Sequence, residues 1–370
     1  MVQYEYLFKI VIPKPSSIAR GVCCFATRSR FLADKPARND NVKNALTKLH
    51  HYRQPEARGS SVETKLATSP QTRTKVKSKS HPETGQQSSP AIEERWATVD
   101  RYRMRYLCSG TGPALVLVHG LLGYSFSWRH AMPVLAQKAT VFAVDMLGVG
   151  FSDRPPNLDC RFRAHAERLL RFLDSVSVTS CDLLGTSHGG AVVMMAAALA
   201  PERVRSLILV APVNPWSTHG KGWAPFLTSS SMSWLILRLG PGLQTAHDLM
   251  LRRLYGDRSR IRPGTLEGYS APLRITGAFK YWLDVMGTWS SDLRELESAL
   301  PRIAHIPTLL LWGDKDAAVS PTSAGELRRQ FTDCRVEMFD GVGHLPYEEV
   351  PEEFNSSVMA FLSERHQDVS

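Results

Sequence analysis

Residues 181–200 read CDLLGTSHGGAVVMMAAALA, and the fold turns on how this stretch divides. A strand-like run ends at Gly185, the next residues are Thr186, Ser187, His188, Gly189 and Gly190, and ten residues of Ala, Val, Met and Leu follow. A buried strand that passes through Gly-x-Ser-x-Gly into a helix of small residues is the setting in which a serine is held as a nucleophile. The turn is so sharp that the serine backbone is strained, and flanking glycines avoid side-chain collisions. The hydroxyl then stands above the sheet edge, over a helix N-terminus that favours developing negative charge. Ser187 is therefore the candidate nucleophile, with Gly185 and Gly189 supporting it structurally.

Outward from this turn the same rhythm repeats. ALVLVHG (114–120), TVFAVDM (140–146), VRSLILVAP (204–212), TLLLWGD (308–314) and RVEMFDG (335–341) are short apolar runs separated by helical stretches such as 162–176 and 352–364. Runs of this kind predict a mostly parallel sheet buried on both faces, a doubly wound α/β fold. WATVDRYRMRYLCSG (96–110) alternates as a pair of antiparallel strands. The interval 213–306 lacks a strand pattern but carries ten aromatic residues, and MSWLILRLG and GAFKYWLDVMG within it look helical. An insertion there predicts a helical cap over the carboxyl ends of the strands, where open α/β sheets bind ligands. About half of its aromatic side chains are expected to form the cap's own small core. The expected organisation is a core of 96–212 and 307–370, a cap of 213–306 and an extension of 1–95.

The extension differs in composition. Residues 1–90 hold 16 Lys or Arg against 6 Asp or Glu, whereas the remaining 280 hold 29 of each, so the net charge of +10 belongs to the tail. The balanced body gives no electrostatic reason to bind nucleic acid. The tail, with stretches such as TRTKVKSKSHPETGQQSSP, is too polar to offset its ordering entropy and reads as disordered. A weak contact of this tail with an anionic surface is one expectation, and an organelle-targeting role for its Arg-containing segment 18–30 another. Six cysteines without paired spacing fit a reducing compartment, with the cytoplasm the plain reading. No run of 18 apolar residues is present to span a membrane.

A serine hydroxyl needs a base. His344, in GVGHLP after the final strand, lies at the same predicted sheet edge as Ser187; His50, His51, His81, His119 and His188 lie in the tail or have plainer roles. TLLLWGD runs into Lys315-Asp316, so Asp314 and Asp316 both remain candidates for the carboxylate that orients the imidazole. The oxyanion needs two backbone donors, one from His188 and one from the loop after His119 and Gly120. His119 itself reads as a brace for that loop.

Taken together, HGLLG (119–123), DMLGVGFSDRP (145–155), GTSHGG (185–190), WGDKDAAV (312–319) and GVGHLPYEEVP (341–351) resemble, in order, the motifs of the α/β-hydrolase superfamily with a helical cap after the sixth strand. The resemblance covers about residues 96–365. It implies that Asp316 rather than Asp314 is the acid and that the amides of Leu121 and His188 form the oxyanion hole. It implies no metal and no organic cofactor. Epoxide hydrolases and haloalkane dehalogenases of this group carry aspartate where this chain has Ser187, so the resemblance favours acyl transfer on a hydrophobic ester. Carbon–carbon hydrolysis of a diketone, or cofactor-free perhydrolysis, uses the same triad. A non-catalytic binding or signalling protein on the same fold is the alternative of another class.

Overall fold

A computed structural model of the protein describes residues 90–217, 224–239, 242 and 244–367; the expectations of a disordered tail, of organelle targeting and of an anionic-surface contact through the tail concern residues outside these. Eight strands form one sheet: β1 (Glu93–Val99), β2 (Tyr102–Ser109), β3 (Ala114–Val118), β4 (Thr140–Val144), β5 (Cys181–Thr186), β6 (Val204–Val210), β7 (Thr308–Gly313) and β8 (Cys334–Phe339). Their order is β1-β2-β4-β3-β5-β6-β7-β8. β1 and β2 form an antiparallel hairpin, β2 runs antiparallel to β4, and every other neighbouring pair is parallel.

The pleat explains why the central strands read as unbroken apolar runs. Successive side chains point to opposite faces, and both faces are covered. Val116 and Val118 of β3 join one apolar cluster, while Leu115 and Leu117 join the other. The first cluster is built with α2 (Phe162–Ser175), α3 (His188–Leu199) and α8 (Ala278–Ala299), and the second with α1 (Met132–Leu135) and α11 (Pro351–Gln367). Each fully buried Leu of these strands contributes roughly 2 kcal/mol. Cys181 behaves as one more small apolar group; burial pushes its thiol up to about 12.

β1 begins at Glu93, three residues before the expected start at Trp96. Glu93, Glu94 and Arg95 register with Cys108, Leu107 and Tyr106. Their side chains are exposed on an edge strand, where charge discourages further strand pairing and leaves no apolar alternation to read.

Between β6 and β7 the described residues form helices and no strand: α4 (Ala224–Leu227), α5 (Ser230–Leu239), α6 (Gln244–Arg253), α7 (Thr265–Ser270) and α8. The short α9 (Ser323–Arg328) and α10 (Pro346–Glu349) lie after β7 and β8. α8 fastens this insertion to the core. Its Val285, Met286, Trp289, Leu293 and Leu296 are buried in the cluster that includes α3. Tyr255, Tyr269, Tyr281 and Trp289 are also buried, while Trp234 is 65% exposed.

Asp292 is a buried carboxylate on the packed face of α8. Burial pushes its carboxyl up to about 6, against the Thr288 hydroxyl at 2.8 Å and the Phe162 amide, which favour the ionised form. The folded state thus holds this proton more tightly than the unfolded chain, whose Asp titrates near the ordinary 3.8. Its contribution to stability is greatest in acid and is lost as pH rises from about 4 through about 6. Asp292→Asn is expected to flatten that slope and to raise stability at pH 8 by about 2 kcal/mol. Urea midpoints of both proteins at pH 5 and pH 8 check this; identical pH dependence in the two would refute it.

Candidate active site

The turn after β5 is strained as its sequence requires. Ser187 has φ 53° and ψ −121°, a left-handed conformation that costs a non-glycine residue on the order of 1–3 kcal/mol. Surrounding hydrogen bonds over-determine it. The Ser187 N–H donates to Val210 O at 2.9 Å, and Ser187 O accepts from Gly190 N at 3.0 Å and Val213 N at 2.9 Å. A Cβ on Gly189 would lie 2.3 Å from His119 O and 2.6 Å from Val118 O, and one on Gly185 2.6 Å from Gly189 O. Only glycines let α3 come this close to β3.

β5, β7 and β8 run in the same direction, so the residues following them meet at one sheet edge. His344 Nδ1 lies 2.8 Å from Asp316 Oδ2, and both side chains are buried. Asp316 Oδ1 accepts from the amides of Ala318 at 2.7 Å and Val319 at 2.9 Å. The carboxylate is thereby fixed at both oxygens, which holds the imidazole with Nδ1 protonated and Nε2 as its basic nitrogen. Asp314 pairs instead with Lys315 at 3.0 Å. Of the two aspartates that spacing alone left open, it is Asp316 that reaches His344.

The loop after β3 turns tightly: Gly123 N donates to Gly120 O at 3.0 Å, and Leu122 has φ 61°. His188 is the first residue of α3, so its N–H lacks an acceptor within the helix. Among the described residues neither the Leu121 nor the His188 N–H donates to a backbone carbonyl. His119 spans this loop and the next. Its Nε2 accepts from Met146 N at 3.1 Å, which leaves Nδ1 to donate to Gly120 O at 2.9 Å. Burial lowers its basicity, keeping it in that neutral tautomer.

Three features have no strong sequence signal. Glu349, buried, accepts from the amides of Gly343 at 2.7 Å, Gly256 at 3.1 Å and Asp257 at 3.1 Å. Asp145 accepts from Ser125 N at 2.7 Å, Phe151 N at 3.0 Å and Arg105 Nη1 at 3.1 Å, tying the loops after β3 and β4 together. The side chain of His188 packs behind the serine, stacked over Trp289 with ring centroids 6.5 Å apart and edge-on to Phe162 and His165. Burial drives its imidazole down to about 3, so the group stays neutral. A cavity of about 10 Å³, room for a single water, is lined by Leu122, Gly148, Arg154, Leu273 and Tyr281.

A strained serine at the end of a central parallel strand, with a buried Asp–His pair on the same edge, is the layout of an α/β-fold hydrolase. The sequence profile of the alpha/beta hydrolase fold family matches residues 113–351, and the chain belongs to that family. It is 28% identical over 264 residues to the 2-hydroxymuconate semialdehyde hydrolase of Pseudomonas sp. (strain CF600), covering 69% of this chain and 89% of that one. It is 26% identical over 280 residues to haloalkane dehalogenase 2 of Mycobacterium tuberculosis, covering 72% and 94%. Among solved structures, a bacterial membrane phospholipase A superposes with a TM-score of 0.63 at 25% identity, covering 74% of this chain and 87% of that one. Among the described residues no helix is long and apolar enough to cross a membrane.

Proposed function

We propose that the protein is a serine hydrolase that cleaves a hydrophobic carboxylic ester through an acyl-enzyme. The observation that carries this reading is the buried contact of His344 Nδ1 with Asp316 Oδ2 at 2.8 Å, on the sheet edge that bears the strained Ser187. Ser187 Oγ attacks the ester carbonyl and passes its proton to His344 Nε2. Asp316 stabilises the resulting imidazolium without taking the proton. The amides of Leu121 and His188 bind the tetrahedral oxyanion, each donor worth about 3 kcal/mol in the transition state. The imidazolium protonates the departing alcohol, and His344 then activates water to release the acid.

This chemistry is tested by treating the protein with a fluorophosphonate and mapping the adduct by mass spectrometry. The label is expected on Ser187, together with burst kinetics on p-nitrophenyl esters. An unlabelled Ser187 in a folded protein that turns over no ester would sink the reading. Carbon–carbon hydrolysis of a ring-cleavage diketone acid is the second reading, favoured by the semialdehyde-hydrolase relative. Comparison of kcat/KM for such a diketone acid with that for the best ester separates the two readings.

A further inference from the structure

We propose that α5 is a docking face for a lipid surface bearing anionic headgroups. The proposal goes beyond the hydrolysis reading and does not depend on it. The helix reads SSMSWLILRL, six of its ten residues being Met, Trp, Leu or Ile, yet none of the ten is buried. Trp234 is 65%, Leu239 50%, Leu237 46% and Leu235 40% exposed, and Met250 on α6 is 42% exposed. An apolar helix normally rests in a protein core or in lipid. Leaving each such side chain about half in water forgoes roughly 1 kcal/mol of burial. Contiguous apolar exposure of this kind marks an interaction surface.

Charge selects the occupant. α5 carries one cation, Arg238, and no Asp or Glu. Arg238 sits exposed among the apolar residues of α5 itself, where its stem can lie along lipid while its guanidinium reaches a headgroup. A second copy docking face to face would bring Arg238 toward its own image with no carboxylate on α5 to receive it, since a two-fold interface pairs a patch with its own image. An anionic lipid surface satisfies both the apolar side chains and Arg238.

The test uses the full chain and phosphatidylcholine vesicles with and without phosphatidylglycerol. Wild type is expected to co-sediment with the phosphatidylglycerol vesicles. The double variant Trp234→Ser/Leu237→Ser, with unchanged far-ultraviolet circular dichroism, is expected to bind at least about tenfold more weakly. Lipids brominated on their acyl chains should quench the fluorescence of the wild type, and Trp234→Phe should bind equally well with that quenching reduced. Equal vesicle binding by wild type and the double variant would overturn the proposal and assign the contact to the basic tail. So would an absence of wild-type binding. A loss of dimer mass in the double variant, with vesicle binding unaltered, would make a second copy the occupant and also overturn it.

Discussion

Asp316→Asn is expected to lower kcat for ester hydrolysis by about 10⁴-fold with little change in KM, whereas Asp314→Asn changes it by less than about threefold. The two residues are separated only by Lys315 and differ in what they touch. Asp316 accepts from the amides of Ala318 and Val319 through Oδ1 and meets His344 Nδ1 through Oδ2. An asparagine can still accept the two amide hydrogen bonds through its carbonyl oxygen. It then presents an NH₂ group to His344, which favours the tautomer protonated at Nε2, and that nitrogen can no longer accept the serine proton. Folding is largely preserved while the base is disabled. Asp314 faces Lys315, and removing that partly exposed ion pair costs at most about 1 kcal/mol. Steady-state kinetics of the two variants on one p-nitrophenyl ester decide the assignment. Comparable losses in both would show that position 316 has no special role.

Gly189→Ala is expected to destabilise the fold by more than about 4 kcal/mol or to prevent soluble accumulation, because both atoms in the way belong to backbone. The added Cβ would sit 2.3 Å from His119 O and 2.6 Å from Val118 O, at the end of a strand paired on both sides. Relief requires α3 to move off β3, which opens the apolar cluster beneath it and displaces Ser187. Gly325 in α9 provides the matched control. It has open space around the same position, so Gly325→Ala is expected to be neutral or to stabilise by up to about 1 kcal/mol through helix propensity. Denaturant midpoints measured side by side check both. Equal stability of the Gly189 variant and the wild type would mean that the turn has more slack than its geometry implies.

The parallel sheet was legible because its strands are apolar on both faces, and the order of motifs placed Ser187 and His344 on one edge. Local patterns carry such information well: a strand, a glycine turn and a small-residue helix are contiguous in sequence. Contacts between distant segments are less legible. Nothing in the composition of 162–176 or 278–299 distinguishes His165 or Trp289 as neighbours of His188, because the three meet only through the packing of α2, α3 and α8. Glu349 had no visible role either, since its acceptors' partners are backbone amides that any residue supplies. Spacing alone left Asp314 and Asp316 level and only the resemblance singled out Asp316; the course of the loop after β7 is what turns that carboxylate toward His344. The first residues of β1 were missed for the opposite reason: edge exposure erased the alternation that announces a strand.

The carboxylate of Glu349 grips Gly343 with one oxygen while it holds Gly256 and Asp257 of the helical insertion, and the His344 amide itself hangs from Leu254 O at 2.7 Å. His344 therefore has its moorings in two parts of the molecule, the sheet and the insertion. Displacing residues 254–257 would drag the imidazole with them. Any shift of the insertion that displaces residues 254–257 is therefore transmitted to His344, and the seating of the imidazole depends on the seating of the insertion.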